Sequence, residues 1–192
     1  MIPAHNQSGV LPPFIPGAAP TDSGATAPYN VSLVDIARKF ATNEKRVQIL
    51  QGLTSYRKAL RDVGIVDGFQ WLDGSFVEKV ESTRGRPPND IDIVTFSFRP
   101  KLSGDTNDWR QLIQSRPDLF DPEESKRLYH CDAYFVDMSM DPRVLVSQTK
   151  YWFGLFSHQR ETFLWKGMLE VSLAEDESDL MAFLDKGDRH AT

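Results

Sequence analysis

Apolar residues recur every three or four positions from Val47 through Leu50, Leu53, Tyr56 and Leu60 and stop at Gly64, which predicts an amphipathic helix opened by Thr42-Asn43. A shorter helix precedes it. Ser32-Leu33-Val34-Asp35 has the form of a capping box with Asp in place of Glu, and the helix it opens runs to about Phe40. Beyond Gly64 the period shortens. Phe69–Leu72 is a short apolar run, Asp90–Phe96 sets β-branched residues around two acids, Tyr129–Asp137 mixes aromatic and small apolar residues, and a last such stretch surrounds Met168–Val171; each predicts a strand. Helices are expected between them. One spans Asp108 to Ser115 and stops before Pro117, one opens at Asp121-Pro122-Glu123-Glu124, one runs from Asp141-Pro142 to about Phe156, and one from Ser178 to Lys186. This interleaving predicts an α+β domain over residues 31–192, with a mixed central β-sheet and helices packed on it. Residues 1–30, rich in Pro, Gly, Ser and Ala, predict an extended Pro-rich arm. Its apolar residues Val10, Leu11, Phe14 and Ile15 favour docking on the domain.

Composition narrows the picture. With 192 residues, 40% of them hydrophobic, the chain supports one domain around one core. A net charge of −5 provides no footprint for strong non-specific nucleic-acid binding, which depends on neutralising phosphates. The basic residues of the long helix, Lys45, Arg46, Arg57, Lys58 and Arg61, are read as a solvated face. Cys131 is the single cysteine and is read as an apolar filler in a strand, which suits a reducing compartment. No apolar run approaches the roughly 18 residues of a membrane span, and no signal-like start is seen. A soluble, cytoplasmic protein without a membrane partner is expected. His5, His130, His158 and His190 form no metal-ligand spacing.

Two pieces of chemistry remain. Gly74-Ser75 leaves an apolar strand, and such an exit offers unpaired backbone N–H groups and a hydroxyl to phosphate, with a glycine that permits close approach. Asp90 and Asp92 flank Ile91, so strand alternation places both on one face, with Cα atoms about 6 to 7 Å apart. Paired carboxylates of this kind suit Mg²⁺, which takes one or two carboxylates and completes its shell with water and phosphate oxygens. Asp73 is read as a turn acid and Lys166 as a solvent-facing lysine beside a late strand. A bare turn at Gly74-Ser75 and an N-cap or loop acid at Asp90 are the alternatives.

Leu72-Asp73-Gly74-Ser75, a spacer over residues 76–89 and Asp90-Ile91-Asp92-Ile93 together resemble the nucleotidyltransferase superfamily with the DNA polymerase β-type fold. The spacer is longer than is usual there, and Ser82–Pro88 is read as the loop that absorbs the excess. The resemblance implies a metal-dependent nucleotidyltransferase that moves a nucleoside monophosphate from an NTP to a hydroxyl. In it Asp90 and Asp92 hold Mg²⁺ (or Mn²⁺), Gly74 and Ser75 position the β/γ end, and a third acid completes the metal site. Asp132 and Asp137 both lie on the strand expected at 129–137, and only one can join the pair, because five residues' separation puts them on opposite faces. Asp132 is chosen, since a mid-strand acid needs a metal or charge partner; simple pairing with an Arg or Lys stays open. The likeness extends more loosely, through Met1-Ile2-Pro3, Leu11-Pro12-Pro13 and Cys131-Asp132 with Phe135, to small bacterial and phage-encoded members, some from toxin–antitoxin or phage-defence systems. It implies an acceptor that is a protein, a transfer RNA, a small molecule or a nucleotide. The acceptor surface then falls to loops, the arm, a second subunit (a homo-oligomer) or a partner protein. A non-catalytic binding module on the same fold, an antitoxin or regulatory subunit, is the rival.

Overall fold

A computed structural model gives the fold and describes every residue except 20, 102–105 and 187–192. Among the described residues five strands form one mixed sheet: β1 (Tyr29–Asn30), β2 (Gly68–Asp73), β3 (Ile91–Ser97), β4 (Cys131–Asp137) and β5 (Leu169–Ser172), in the order β1-β5-β2-β3-β4. Among the described residues there are eight α-helices: α1 (Leu33–Phe40), α2 (Glu44–Asp62), α3 (Val80–Arg84), α4 (Thr106–Ser115), α5 (Pro117–Phe120), α6 (Pro122–Tyr129), α7 (Pro142–Phe156) and α8 (Ser178–Asp185). The caps expected from the sequence are made. Ser32 accepts from the Asp35 N–H and Asn43 from that of Arg46, while Asp121 and Asp141 each cap a helix that has Pro in its first turn. None of these helices is long and apolar enough to cross a membrane.

Alternation along the strands sorts the core into two layers. Leu72, Ile91, Ile93, Cys131, Ala133, Leu169 and Val171 pack with the apolar sides of α1, α2 and α8. Trp71, Val94, Phe96 and Val136 face the other way, against Trp152 and Phe156 of α7. Both layers are anchored in β2 and β3, which pair antiparallel; β3 and β4 pair parallel. The C-terminal end of β2 therefore meets the N-terminal ends of β3 and β4.

Several local expectations change. The spacer after Gly-Ser is not all loop, since residues 80–84 form α3, closed by Gly85 in the left-handed conformation. Pro117 not only ends α4 but opens the single turn α5. Asp90 stands one residue before β3, and β4 begins at Cys131 because His130 adopts a positive φ as the cap of α6. The basic face of α2 is not wholly solvated. Arg46 and Arg57 are buried, and each spends its guanidinium on carbonyls and a carboxylate: Arg57 on Glu177, Gln70 and the carbonyls of Ser172 and Glu175, Arg46 on Glu81 and the carbonyls of Phe76 and Glu78. Arginine suits such sites because its fixed fork reaches several acceptors at once. The arm docks closely. Val10 and Leu11 are fully buried, whereas Phe14 and Ile15 stay largely exposed, and Tyr29–Asn30 adds an edge strand beside β5.

Candidate functional site

The cleft lies where the three strand ends meet, on the α7 side of the sheet. By alternation Asp92 shares its face with Val94 and Phe96, and Asp132 shares its face with Val136. Register brings the acids together: Asp92 is the Cα partner of Asp73 on β2 and of Asp132 on β4. Gly74, Ser75, Asp90, Asp92 and Asp132 all line this one cleft of 260 Å³. Asp137 does not. It pairs with Ser97 at the far end of the strands and is held by Arg99, Nε to Oδ2 2.6 Å.

Gly74 opens a 3₁₀ turn over residues 74–77 with φ +80°, and a Cβ there would collide with the Asp92 carboxylate. The glycine therefore admits a carboxylate of this chain, where the sequence had suggested room for a ligand. Arg46 holds the back of the same turn, donating to the carbonyls of Phe76 (2.5 Å) and Glu78 (2.7 Å). With its carbonyls engaged from behind, the turn keeps a fixed orientation relative to Asp92. Gly74→Ala is accordingly expected to lower stability by about 1 to 3 kcal/mol, through both left-handed strain and displacement of Asp92. Chemical denaturation of the two proteins measures it, and an unchanged midpoint would show that the turn adapts without cost.

Two residues set aside in the sequence belong to the floor of the site. Asp73 heads the 3₁₀ turn, as a turn acid does, but is buried, and Lys166 is not solvent-facing; each is about 3% exposed. The Lys166 ammonium lies 3.1 Å from Asp73 Oδ2 and 2.9 Å from Glu78 Oε1, and Gln159 donates to the other Glu78 oxygen at 2.8 Å. Arg84 reaches Glu78 at 3.5 Å. Burial pulls the Lys166 ammonium down, but Asp73 and Glu78 together outweigh it and hold it above its ordinary value. Burial pushes the Asp73 carboxyl up to about 7, against the pull of Lys166. Among the described residues Asp73 Oδ1 is buried without a hydrogen-bond partner. Only its position at the end of an apolar strand marked Asp73 in the sequence; Lys166, inside Leu164-Trp165-Lys166-Gly167-Met168, carried a similar hint, while Glu78, Arg84, Lys126 and Arg160 carried none.

The cleft holds six carboxylates (Asp73, Glu78, Asp90, Asp92, Asp132 and Glu161) against four cations (Arg84, Lys126, Arg160 and Lys166), so it favours an added cation. Burial pushes Asp92 up to about 6, and the charges of Asp90 and Asp132 push it the same way. The all-oxygen donor set fits a hard ion such as Mg²⁺ or Mn²⁺. Among the described residues no three acids already converge as a ligand group, and Lys126 on α6 stands between two of them. Its ammonium sits 2.6 Å from Asp90 Oδ2 and 3.6 Å from Asp132 Oδ2. The hydrogen bond to Asp90 holds that ammonium above its ordinary value. Cys131, fully buried behind Asp132, has its thiol pushed well up by burial and offers no nucleophile.

Fold and cleft together define a mixed α+β domain that gathers acidic and basic groups at one confluence of strand ends. Residues 3–172 match the family described as "Family of unknown function (DUF6932)", and the chain belongs to that family. No curated protein and no solved structure matches it.

Proposed function

We propose that this protein is a metal-dependent nucleotidyltransferase of the nucleotidyltransferase fold, transferring a nucleoside monophosphate from an NTP to an acceptor hydroxyl. The observation that carries this reading is the placement of Asp90, Asp92 and Asp132 in one cleft with the Gly74–Ser75 turn. Asp90 and Asp92, joined by Asp132, would hold Mg²⁺ or Mn²⁺, which when bound neutralises charge on the phosphates. The Gly74 and Ser75 amides and the Ser75 hydroxyl bind phosphate oxygens. Arg160, exposed on the cleft wall, completes that side. Asp132 takes the proton of the acceptor hydroxyl as its oxygen bonds to the α-phosphorus, and the bond to the β-phosphate breaks to release pyrophosphate. At 260 Å³ the cleft is smaller than most sites for a whole small ligand, so it suits the triphosphate and leaves the base at the mouth.

One observation favours a second reading. A lysine already bridging Asp90 and Asp132 is what a binding module without catalytic duty would use to neutralise its acids permanently. Incubation with each labelled NTP, Mg²⁺ or Mn²⁺ and a cell extract decides between them: the enzyme transfers label to an acceptor, and the module transfers none.

Asp92→Asn is expected to abolish metal-dependent NTP binding and to change how stability depends on pH. In the unfolded chain Asp92 titrates near about 4, and in the fold at about 6. Between these values the folded protein holds the extra proton, so the Asp92 contribution makes stability fall as pH rises through that window. Melting curves at pH 4.5 to 7 should show a smaller fall in the variant. Unchanged metal-dependent nucleotide affinity, measured by calorimetry, would remove the metal site from the reading.

A further inference from the structure

We propose that Lys126 is the resident counter-ion of the acid cluster, displaced when metal enters and then transferred to the triphosphate, so that it sets the order in which the site loads. The inference rests on the nucleotidyltransferase reading and concerns a residue that the resemblance does not assign. Three features support it. The ammonium touches Asp90 and Asp132, the two acids that flank Asp92, and so occupies the position from which a divalent ion would contact them. The side chain is about half exposed and projects from the short helix α6, so it can leave without opening the core. Lys166, by contrast, is buried between Asp73 and Glu78 and cannot make such an exchange.

Electrostatic repulsion then gives the sequence of events. A divalent ion entering alone must expel Lys126 from both carboxylates and leaves the ammonium beside a cation, which is unfavourable. An ion entering with a triphosphate brings an anionic partner to the same cleft, and the displaced ammonium, tethered at α6, pairs with it. Metal alone therefore binds weakly and metal–nucleotide binds well.

The test is calorimetry of Mn²⁺ alone and of ATP with saturating Mn²⁺, on the wild-type chain, Lys126→Gln and Lys126→Arg, with Asp92→Asn as the control for site identity. Removing the charge is expected to tighten Mn²⁺ alone by about fivefold and to weaken the Mn²⁺–ATP complex by a similar factor, while Lys126→Arg stays near wild type. Opposite signs in the two measurements mark the exchange, because a merely structural lysine would weaken both or neither. If Mn²⁺ binds the wild type and is lost in Asp92→Asn but its affinity is unchanged or lower in Lys126→Gln, the counter-ion role is overturned and the metal site stands. If neither Mn²⁺ nor Mn²⁺–ATP binds any of the proteins, both fall.

Discussion

Asp132→Asn is expected to cut turnover by about two to four orders of magnitude while nucleotide affinity changes little, because a group that accepts the acceptor's proton acts mainly in the transition state. Geometry makes this the sharpest comparison in the cleft. Asp132 sits beside Asp92 at the start of β4, and Asp137 lies five residues on, at the opposite end of the strand and on its opposite face. Asp137→Asn should leave turnover intact and register only as a small loss of stability, from the weakened pairing with Arg99. Steady-state rates and melting temperatures of the two variants, measured together, separate the roles. Full activity in Asp132→Asn would exclude it as the base, and inactivity in Asp137→Asn would move the reactive end of the sheet.

The largest loss of stability is expected from Lys166→Met. The methionine fills much of the same space, but Asp73 and Glu78 then share a buried site with no ammonium between them. Removing one partner of a buried ion cluster typically costs about 3 to 5 kcal/mol, because the remaining charges stay desolvated and repel. Part of the loss should return at low pH, where the raised carboxyl of Asp73 takes a proton and sheds its charge. Urea titrations at pH 5 and pH 8 provide the measurement. A variant as stable as the wild type at pH 8 would show that Arg84, now 3.5 Å from Glu78, can replace the lysine.

The strand ends were legible because alternation and turn chemistry are local. Ile91 and Ile93 facing the core place Asp92 on the other face whatever the tertiary structure, and a Gly-Ser after an apolar run marks an exit. Caps were legible for the same reason, from Ser32, Asn43, Asp121 and Asp141. What could not be read is the partner of each charge. Arg46 and Arg57 recur on α2 at spacings that suit a solvated helix face, and only the approach of residues 76–81 and 172–177 from elsewhere in the chain turns them inward. Lys166 and Asp73 are 93 positions apart and meet through sheet topology. Lys126 gave no signal, since one lysine on a short charged helix resembles any other until the helix is packed against β4.

The arm at residues 1–30 has the composition of a linker, yet its contacts run to both walls of the cleft. His5 bonds to the carbonyl of Val77 and the Gly9 carbonyl accepts from Lys79 N–H, behind the 3₁₀ turn; the Leu11 carbonyl accepts from Gly167 N–H, next to Lys166. Residues 5–11, folded back on themselves in a turn at 6–10, thus lace the 3₁₀ turn to the segment that carries the buried lysine. A protease that nicked the chain after Leu11 would spare every acid in the cleft and still unfasten it. The fragment trimmed away would look dispensable by composition alone, yet residues 5–11 belong to the folded unit as much as α1 does.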